Sequence, residues 1–298
     1  MRLLVFGFGY SARALAARLP CDVQVTATVR SPLPARWRDA VETVSVHDAD
    51  ALGAALGRAD ALLVTAAPDP ETGLCPGFET LAPHLAPGSG PSWIGYLSTT
   101  GVYGDRGGRW VRETSEARPA SEISRRRVAA EAAWTGRGRP LAIFRLPGIY
   151  GPGRSALDRV RDGTARRMAT PGQVFSRIHV ADLADGLAAA LAQPDRTGVF
   201  NLCDDEPAPA ADVTLEACRL LGVEPPPQTP LDLEALTPAA RRFWAESKRV
   251  SNARAKAALG WRPAHPTYRE GLAAILAAEG PLTPSGPLRD PPPPWGRN

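Results

Sequence analysis

The chain has 298 residues, 44% of them apolar and 22% charged, and a net charge of +4. These values mark a globular, soluble chain of one large α/β unit with a substrate lobe, or of two domains, and exclude a disordered one. The basic residues are nearly all arginine and are scattered, with one short run at Arg125-Arg126-Arg127, so nothing points to nucleic acid.

Cys21, Cys75, Cys203 and Cys218 form no Cys-x-x-Cys pair, as expected for free thiols in a reducing compartment. The first twenty residues carry an apolar run, but the Gly-Phe-Gly break and Arg13 and Arg18 argue against a signal peptide. No window holds eighteen consecutive apolar residues, so no membrane span is expected and the cytoplasm is the expected place.

Leu3-Leu-Val-Phe is an apolar run that ends in Gly7-Phe8-Gly9-Tyr10-Ser11-Ala12, and a helical pattern follows at once. This is the strand–turn–helix that receives a dinucleotide. Gly7 suits the tight turn off the strand. Gly9 lets the backbone approach a pyrophosphate, and Ala12 keeps helix and strand close. A helix from about Ser11 would point its first N–H groups at the phosphates. Residues 22–29 read as a second strand of β-branched residues, ended by Arg30 and Ser31-Pro-Leu-Pro. An Asp or Glu at that strand end would bind the ribose hydroxyls and repel a 2′-phosphate. Arg30 offers phosphate a fork of donors instead, which favours NADP over NAD, with a solvated loop arginine as the alternative.

Val41–Val46 reads as a third strand. Asp48 beyond it either meets the adenine edge or caps a helix over Ala51–Leu56, with Asp50 as a rival cap. The run from Ala61 to Ala67 has the continuous apolar character of a strand buried on both faces, and Ala66 and Ala67 leave room for a cofactor. A helix near Phe78–Leu85 and a strand at Trp93–Ser98 follow. Strands alternating with helices at this spacing imply a Rossmann-type doubly wound parallel sheet. Further strands are expected near Ala142–Arg145 and Val199–Leu202, with a helix over Val180–Gln193. Pro32–Pro34, Pro68–Pro76, Pro87–Pro91 and Pro225–Pro230 read as loops. The Pro/Gly-rich tail from Gly280 onward reads as extended or partly disordered.

Residues 97–104 read Leu-Ser-Thr-Thr-Gly-Val-Tyr-Gly. With four further blocks in order, they resemble the extended short-chain dehydrogenases/reductases, also called the NAD-dependent epimerase/dehydratase family. The other blocks are Arg145-Leu-Pro-Gly-Ile-Tyr150-Gly-Pro-Gly-Arg154, Arg177-Ile-His179-Val-Ala-Asp182, Phe200-Asn-Leu-Cys-Asp-Asp-Glu-Pro207 and Lys248 through Gly260-Trp. The resemblance implies a nicotinamide-binding Rossmann core over 1–149, completed by about 177–203. It implies a smaller substrate lobe from 150–176 and 204–280, with the tail over 281–298. It implies Thr99 and Ser98 as the catalytic hydroxyls and Pro147 against the cofactor. Tyr103, Tyr150, Arg154, Arg177 and His179 would face a small-molecule substrate, in a monomer or homodimer.

Family members carry a Tyr-x-x-x-Lys pair on the helix that also bears Glu131. Counting back from Glu131 puts Ile123 at the tyrosine and Arg127 at the lysine. Isoleucine cannot pass a proton, none of the five tyrosines has Lys four residues on, and Lys248 and Lys256 lie far downstream. Arg127 could still hold the nicotinamide ribose, but it stays charged and has a different shape. The pattern resembles the atypical, YeeZ-like branch, in which fold and cofactor binding carry over and catalytic activity does not. Arg154 and Arg177 read as anion clamps or as surface arginines. His179 reads equally as structural or catalytic, and Asp182 as a helix cap. His47, His84 and His265 fall in no ligand spacing, so no metal site is expected. The function implied is an NADP-binding oxidoreductase or epimerase-like enzyme, with NAD possible. The alternative is a cofactor-binding regulator or scaffold without turnover.

Overall fold

A computed structural model describes residues 1–38, 40–85 and 90–279. The tail and most of the Pro87–Pro91 loop lie outside the described residues. The first half of the chain runs β1 (Arg2–Phe6), α1 (Tyr10–Ala16), β2 (Gln24–Val29), α2 (Ala35–Arg38), β3 (Glu42–Ser45), α3 (Ala49–Arg58), β4 (Ala61–Val64), α4 (Pro76–Leu81), β5 (Trp93–Thr99), β6 (Trp110–Val111) and α5 (Glu122–Thr135). The second half runs β7 (Leu141–Leu146), β8 (Gly148–Tyr150), α6 (Ala156–Arg161), β9 (Arg167–Ala169), β10 (Arg177–His179), α7 (Val180–Leu191), β11 (Gly198–Asn201), α8 (Ala210–Leu221), β12 (Gln228–Pro230), α9 (Pro238–Trp244), β13 (Arg249–Val250), α10 (Ala253–Leu259) and α11 (Tyr268–Ala278).

Seven of these strands form one parallel sheet in the order β11-β7-β5-β4-β1-β2-β3. The central strands are apolar on both faces: all four residues of β4 and all six of β7 are buried. That is the condition for helices to cover a parallel sheet on both sides. One face packs Leu3, Val5, Ala12 and Leu15 with Leu183 and Leu187 of α7. The other packs Leu4, Phe6 and Leu62 with Leu52 and Leu56 of α3 and Trp134 of α5. The chain order reverses between β1 and β4, and that reversal opens a crevice at the strand ends where α/β sheets bind ligands.

A second, smaller core joins Leu157 of α6, Ala217 of α8 and Tyr268, Leu272 and Ile275 of α11. Tyr150 packs against it and fixes its position on the sheet. A β-carbon added at Gly271 of α11 would collide with the Tyr150 hydroxyl, so the glycine is what lets the two approach. The two-stranded pairings of β8 with β10 and β9 with β12 tie this half of the molecule together, and β6 with β13 joins it to the first half.

Candidate functional site: a cleft at the strand ends

A cleft of about 800 Å³ opens at the reversal point. Gly7, Phe8 and Gly9 form its floor, Thr28, Val29, Arg30 and Ser31 one wall, and Thr65, Ala66, Ala67, Pro68 and Asp69 the other. Gly7 has φ +93°, and a β-carbon there would meet Thr65 Oγ1 at 3.0 Å and the Ala66 nitrogen at 3.1 Å. Glycine is required at this turn by backbone and by neighbours alike. The Gly7 N–H donates to Thr28 Oγ1 (2.9 Å), which pins the turn to β2. Gly9 differs: its φ is −86° and an added β-carbon would meet nothing within 4 Å. The space kept clear by Gly9 is therefore not filled by protein, as a group passing over the turn requires. No side chain caps the first turn of α1. Ala12 is buried in the sheet core, where its methyl keeps α1 against the strands. Tyr10 donates its hydroxyl to the Pro152 carbonyl (3.3 Å), and the Arg154 guanidinium lies 5.8 Å from its ring centre. Ser11 is half-buried in the first turn of α1, and Pro147 is half-buried between β7 and β8.

The cleft holds residues the sequence reading passed over. Arg13 lines it, with its Nε donating to the Phe8 carbonyl (3.1 Å) and its guanidinium 5.9 Å from the Phe8 ring. Its place four residues after Gly9, one helical turn on, was the available signal. His47 and Arg126 also line the cleft, as does Ile123, the residue at the expected tyrosine position. Asp69 is held below the usual carboxylate range by the N–H groups of Thr72 and Glu71, with the charge of Arg30 adding to the effect.

Several expected site residues are placed elsewhere. Asp48 is exposed, does not line the cleft, and accepts from the Ala51 N–H (2.9 Å) as the cap of α3. Ser98 is buried and donates to Glu131 Oε1 (2.5 Å), which also binds Arg145 (Nη2 to Oε2, 2.7 Å). Its hydroxyl serves this internal network rather than a substrate. Tyr103 has no exposed surface and donates to Asn201 Oδ1 (2.8 Å) with its ring beside Arg145, so it cannot meet a substrate. Arg127 Nη1 donates to the Leu97 carbonyl (2.6 Å) and to the Tyr96 hydroxyl (3.2 Å). It braces β5 and does not line the cleft. Arg177 donates to the carbonyls of Ala208 (3.0 Å) and Glu206 (3.4 Å), 5.3 Å from the Tyr268 ring centre, and works inside the smaller core. Arg154 is exposed beside Tyr10 and has no carboxylate within ion-pair distance among the described residues.

Thr99 does not line the cleft either, but it keeps a hydroxyl proton without a partner among the described residues. It is half-buried at the end of β5, and its oxygen accepts from the Gly101 N–H (3.1 Å), leaving its proton free to donate. Ile123, at the tyrosine position, is 51% exposed at the cleft. The five tyrosines offer no substitute: burial raises the hydroxyl of every one, Tyr10 and Tyr96 to about 12.

His179, Asp182 and His265 bring their ligand atoms within 4.8 Å of one another. Their hydrogen bonds describe a clasp. Asp182 accepts from the N–H groups of Ala264 (2.8 Å) and His265 (3.1 Å), and His265 Nδ1 lies 3.0 Å from its carboxylate. His179 Nδ1 accepts from the Ala181 N–H (3.2 Å), so the neutral ring carries its proton on Nε2 and has no lone pair there for a metal.

Searched against protein-family models, the chain matches none. It is 35% identical over 144 residues to the 3-diazoavenalumate denitrifying reductase of a Streptomyces species, covering 44% of this chain and 45% of the reductase. It is 33% identical over 135 residues to protein YeeZ of Escherichia coli K12, covering 44% of this chain and 47% of YeeZ. The chain thus matches about half the length of these curated relatives. A solved structure of a functionally unknown conserved protein from Silicibacter pomeroyi is 42% identical, with TM-score 0.84, and the match covers 94% of this chain and 99% of that one. Structures of epimerases and dehydratases share the fold over 93–94% of the chain. The blocks from Gly7 to Trp261, the seven-stranded sheet and these relatives lead to one assignment: the chain belongs to the atypical extended short-chain dehydrogenases/reductases of the NAD-dependent epimerase/dehydratase superfamily, in the YeeZ-like branch.

Proposed function

We propose that the chain is an NADP(H)-dependent oxidoreductase acting on a small polar substrate. The observation that carries this reading is the end of β2, where Arg30 and Ser31 line the cleft and no carboxylate follows the strand. An acid there would select the free ribose, whereas Arg30 suits a 2′-phosphate. Gly7 and Gly9 would take the pyrophosphate, and Ala66 and Ala67 would flank the nucleotide. When bound, the cofactor supplies or accepts the hydride, and the chain's own residues bind and orient. Thr99 would donate a hydrogen bond from its hydroxyl to the substrate and hold it in place. The lobe formed by 150–176 and 204–280 would cover the substrate, with Arg154 as an exposed cation for an anionic group. Four free cysteines, three of them buried, fit a cytoplasmic protein, monomeric or homodimeric.

The Streptomyces relative is named for reducing a diazo compound. Reduction of a carbonyl leaves an alkoxide that a positioned acid must protonate, and that acid commonly supplies about 10²–10⁴-fold in rate. Hydride from the nicotinamide added to the terminal nitrogen of an aryl diazo group gives a diazene whose C–N bond breaks, so N2 leaves, the hydrogen ends on carbon and no alkoxide forms. Ile123 in place of the tyrosine therefore favours an acceptor of the diazo kind over a ketone. The same isoleucine supports a second reading, a nucleotide-responsive regulator without turnover.

The test is NADPH oxidation by the native and Thr99→Ala proteins with a hydroxyaryl diazo compound and its acetyl counterpart, alongside calorimetric NADPH binding. The reading predicts turnover with the diazo compound, a loss of about tenfold or more in Thr99→Ala, and near-native NADPH affinity in both. Activity that survives Thr99→Ala would place the reacting group elsewhere. NADPH binding with no turnover on either acceptor would favour the regulator.

A further inference from the structure

Arg13 and Arg30 line the cleft, and Arg36 is exposed on α2, next to Trp37. Arg13 is held down first by burial and then by the charge of Arg36. None of the three has a carboxylate within ion-pair distance among the described residues. A half-buried guanidinium that lines a cleft with no carboxylate partner is a place for an anionic group.

The local structure holds Arg13 in place. Its Nε is fixed on the Phe8 carbonyl at 3.1 Å, and its guanidinium lies 5.9 Å from the Phe8 ring. Phe8 meets Trp37 edge-on at 5.3 Å, and Trp37 follows Arg36 in α2. One aromatic contact thus fixes the helix that carries Arg36 relative to Arg13. With Nε occupied, the two terminal nitrogens of Arg13 keep their N–H donors, the fork that binds phosphate oxygens. Arg30 and the Asp69 carboxylate both line the cleft, on its opposite walls.

We infer that Arg13, seconded by Arg36, forms a clamp for a phosphomonoester dianion and is the main determinant of the preference for a 2′-phosphorylated nucleotide. The inference rests on the NADP(H) reading of the cleft. It goes beyond that reading by moving the discrimination from Arg30 at the β2 end to an arginine of the first helix.

The experiment is calorimetric titration of adenosine 2′,5′-bisphosphate, 5′-AMP, inorganic phosphate, NADPH and NADH into the native chain and into Arg13→Ala, Arg13→Lys, Arg36→Ala and Arg30→Ala, with the melting temperature of each variant as the control for folding. The native chain should prefer the bisphosphate to 5′-AMP by about tenfold or more, as paired charge-assisted hydrogen bonds provide. Arg13→Ala should reduce that preference to within about threefold with 5′-AMP affinity unchanged, and Arg13→Lys should retain part of it. Arg36→Ala should cost the bisphosphate less than Arg13→Ala does. Inorganic phosphate should bind weakly and lose its binding in Arg13→Ala; tight phosphate binding without a preference for the bisphosphate would overturn the nucleotide clamp. Arg13→Ala with an intact preference, or with equal losses for bisphosphate and 5′-AMP, would overturn the inference while leaving the NADP(H) reading standing. A native chain that binds neither NADPH nor NADH would overturn both.

Discussion

Gly9 and Gly7 stand two residues apart in the same turn and respond to substitution in opposite ways. Gly9 has ordinary φ and open space where a side chain would go. Gly9→Val should therefore fold normally and fill the path of the pyrophosphate. NADPH and NADH affinity should both fall by about tenfold or more with an unchanged melting temperature, measured by calorimetry and thermal unfolding. Gly7 is at φ +93° against Thr65 and Ala66, so Gly7→Ala should cost about 1–3 kcal/mol of stability in urea. A second residue-scale prediction concerns the buried Glu131–Arg145 pair, each side chain 9% exposed, with Ser98 donating to the same carboxylate. Glu131→Gln leaves the Arg145 charge enclosed without its partner and should cost about 3–5 kcal/mol, read as a lower urea midpoint at unchanged slope. A change below about 0.5 kcal/mol would show that the ion pair adds no net stability there. The turn at Gly7 and the helix start after Gly9 were legible in the sequence because they belong to one strand–turn–helix, whereas the crowding of Gly7 by Thr65 and Ala66 was not. Neither was Tyr103: its place is set by Asn201, 98 residues later.

At the scale of elements, α5 is the helix on which the resemblance would place a proton-passing pair, and here its arginines brace the cleft. Arg126 donates to the carbonyls of Asp69 (3.2 Å) and Pro70 (2.6 Å) on the cleft wall, and Arg127 to that of Leu97 at the end of β5. The sequence located this helix through Glu131 and the missing tyrosine, but not the new work of its arginines, because the carbonyls they bind carry no side-chain signature. Arg127→Lys, placed at the lysine position, would also lose the bond to the Tyr96 hydroxyl, so restoring Tyr and Lys together disturbs β5. The α7 helix carries a pH-dependent element. Its cap, His179, is buried, and burial followed by the charge of neighbouring His265 lowers its imidazole to about 4, with Asp182 opposing the shift. The unfolded chain therefore binds a proton that the folded chain refuses between about pH 6.5 and 4, and stability is lost as pH falls through that window. His179→Asn keeps a capping oxygen and removes the titration. It should shrink the drop in unfolding free energy between pH 7 and pH 4.5 by on the order of 2 kcal/mol; an unchanged drop would assign the acid sensitivity to other groups.

Across the whole molecule, the parallel sheet follows from apolar runs that each read locally as a buried strand, and the smaller core does not. Leu157, Ala217 and Leu272 come from three helices far apart in sequence and meet in one cluster, which no local pattern announces. The sequence outlined that half through blocks shared with relatives, while the sealing of Arg177 within it is set by the Ala208 and Glu206 carbonyls and Tyr268. Among the described residues no helix is long and apolar enough to cross a membrane. The central claim is that the cleft at the sheet's reversal point takes a 2′-phosphorylated nicotinamide nucleotide. Its most direct measurement is parallel calorimetric titration of NADPH and NADH into the native chain at one ionic strength. The account predicts NADPH tighter by about tenfold or more, a difference of at least ~1.4 kcal/mol. Equal affinities, or a preference for NADH, would contradict it.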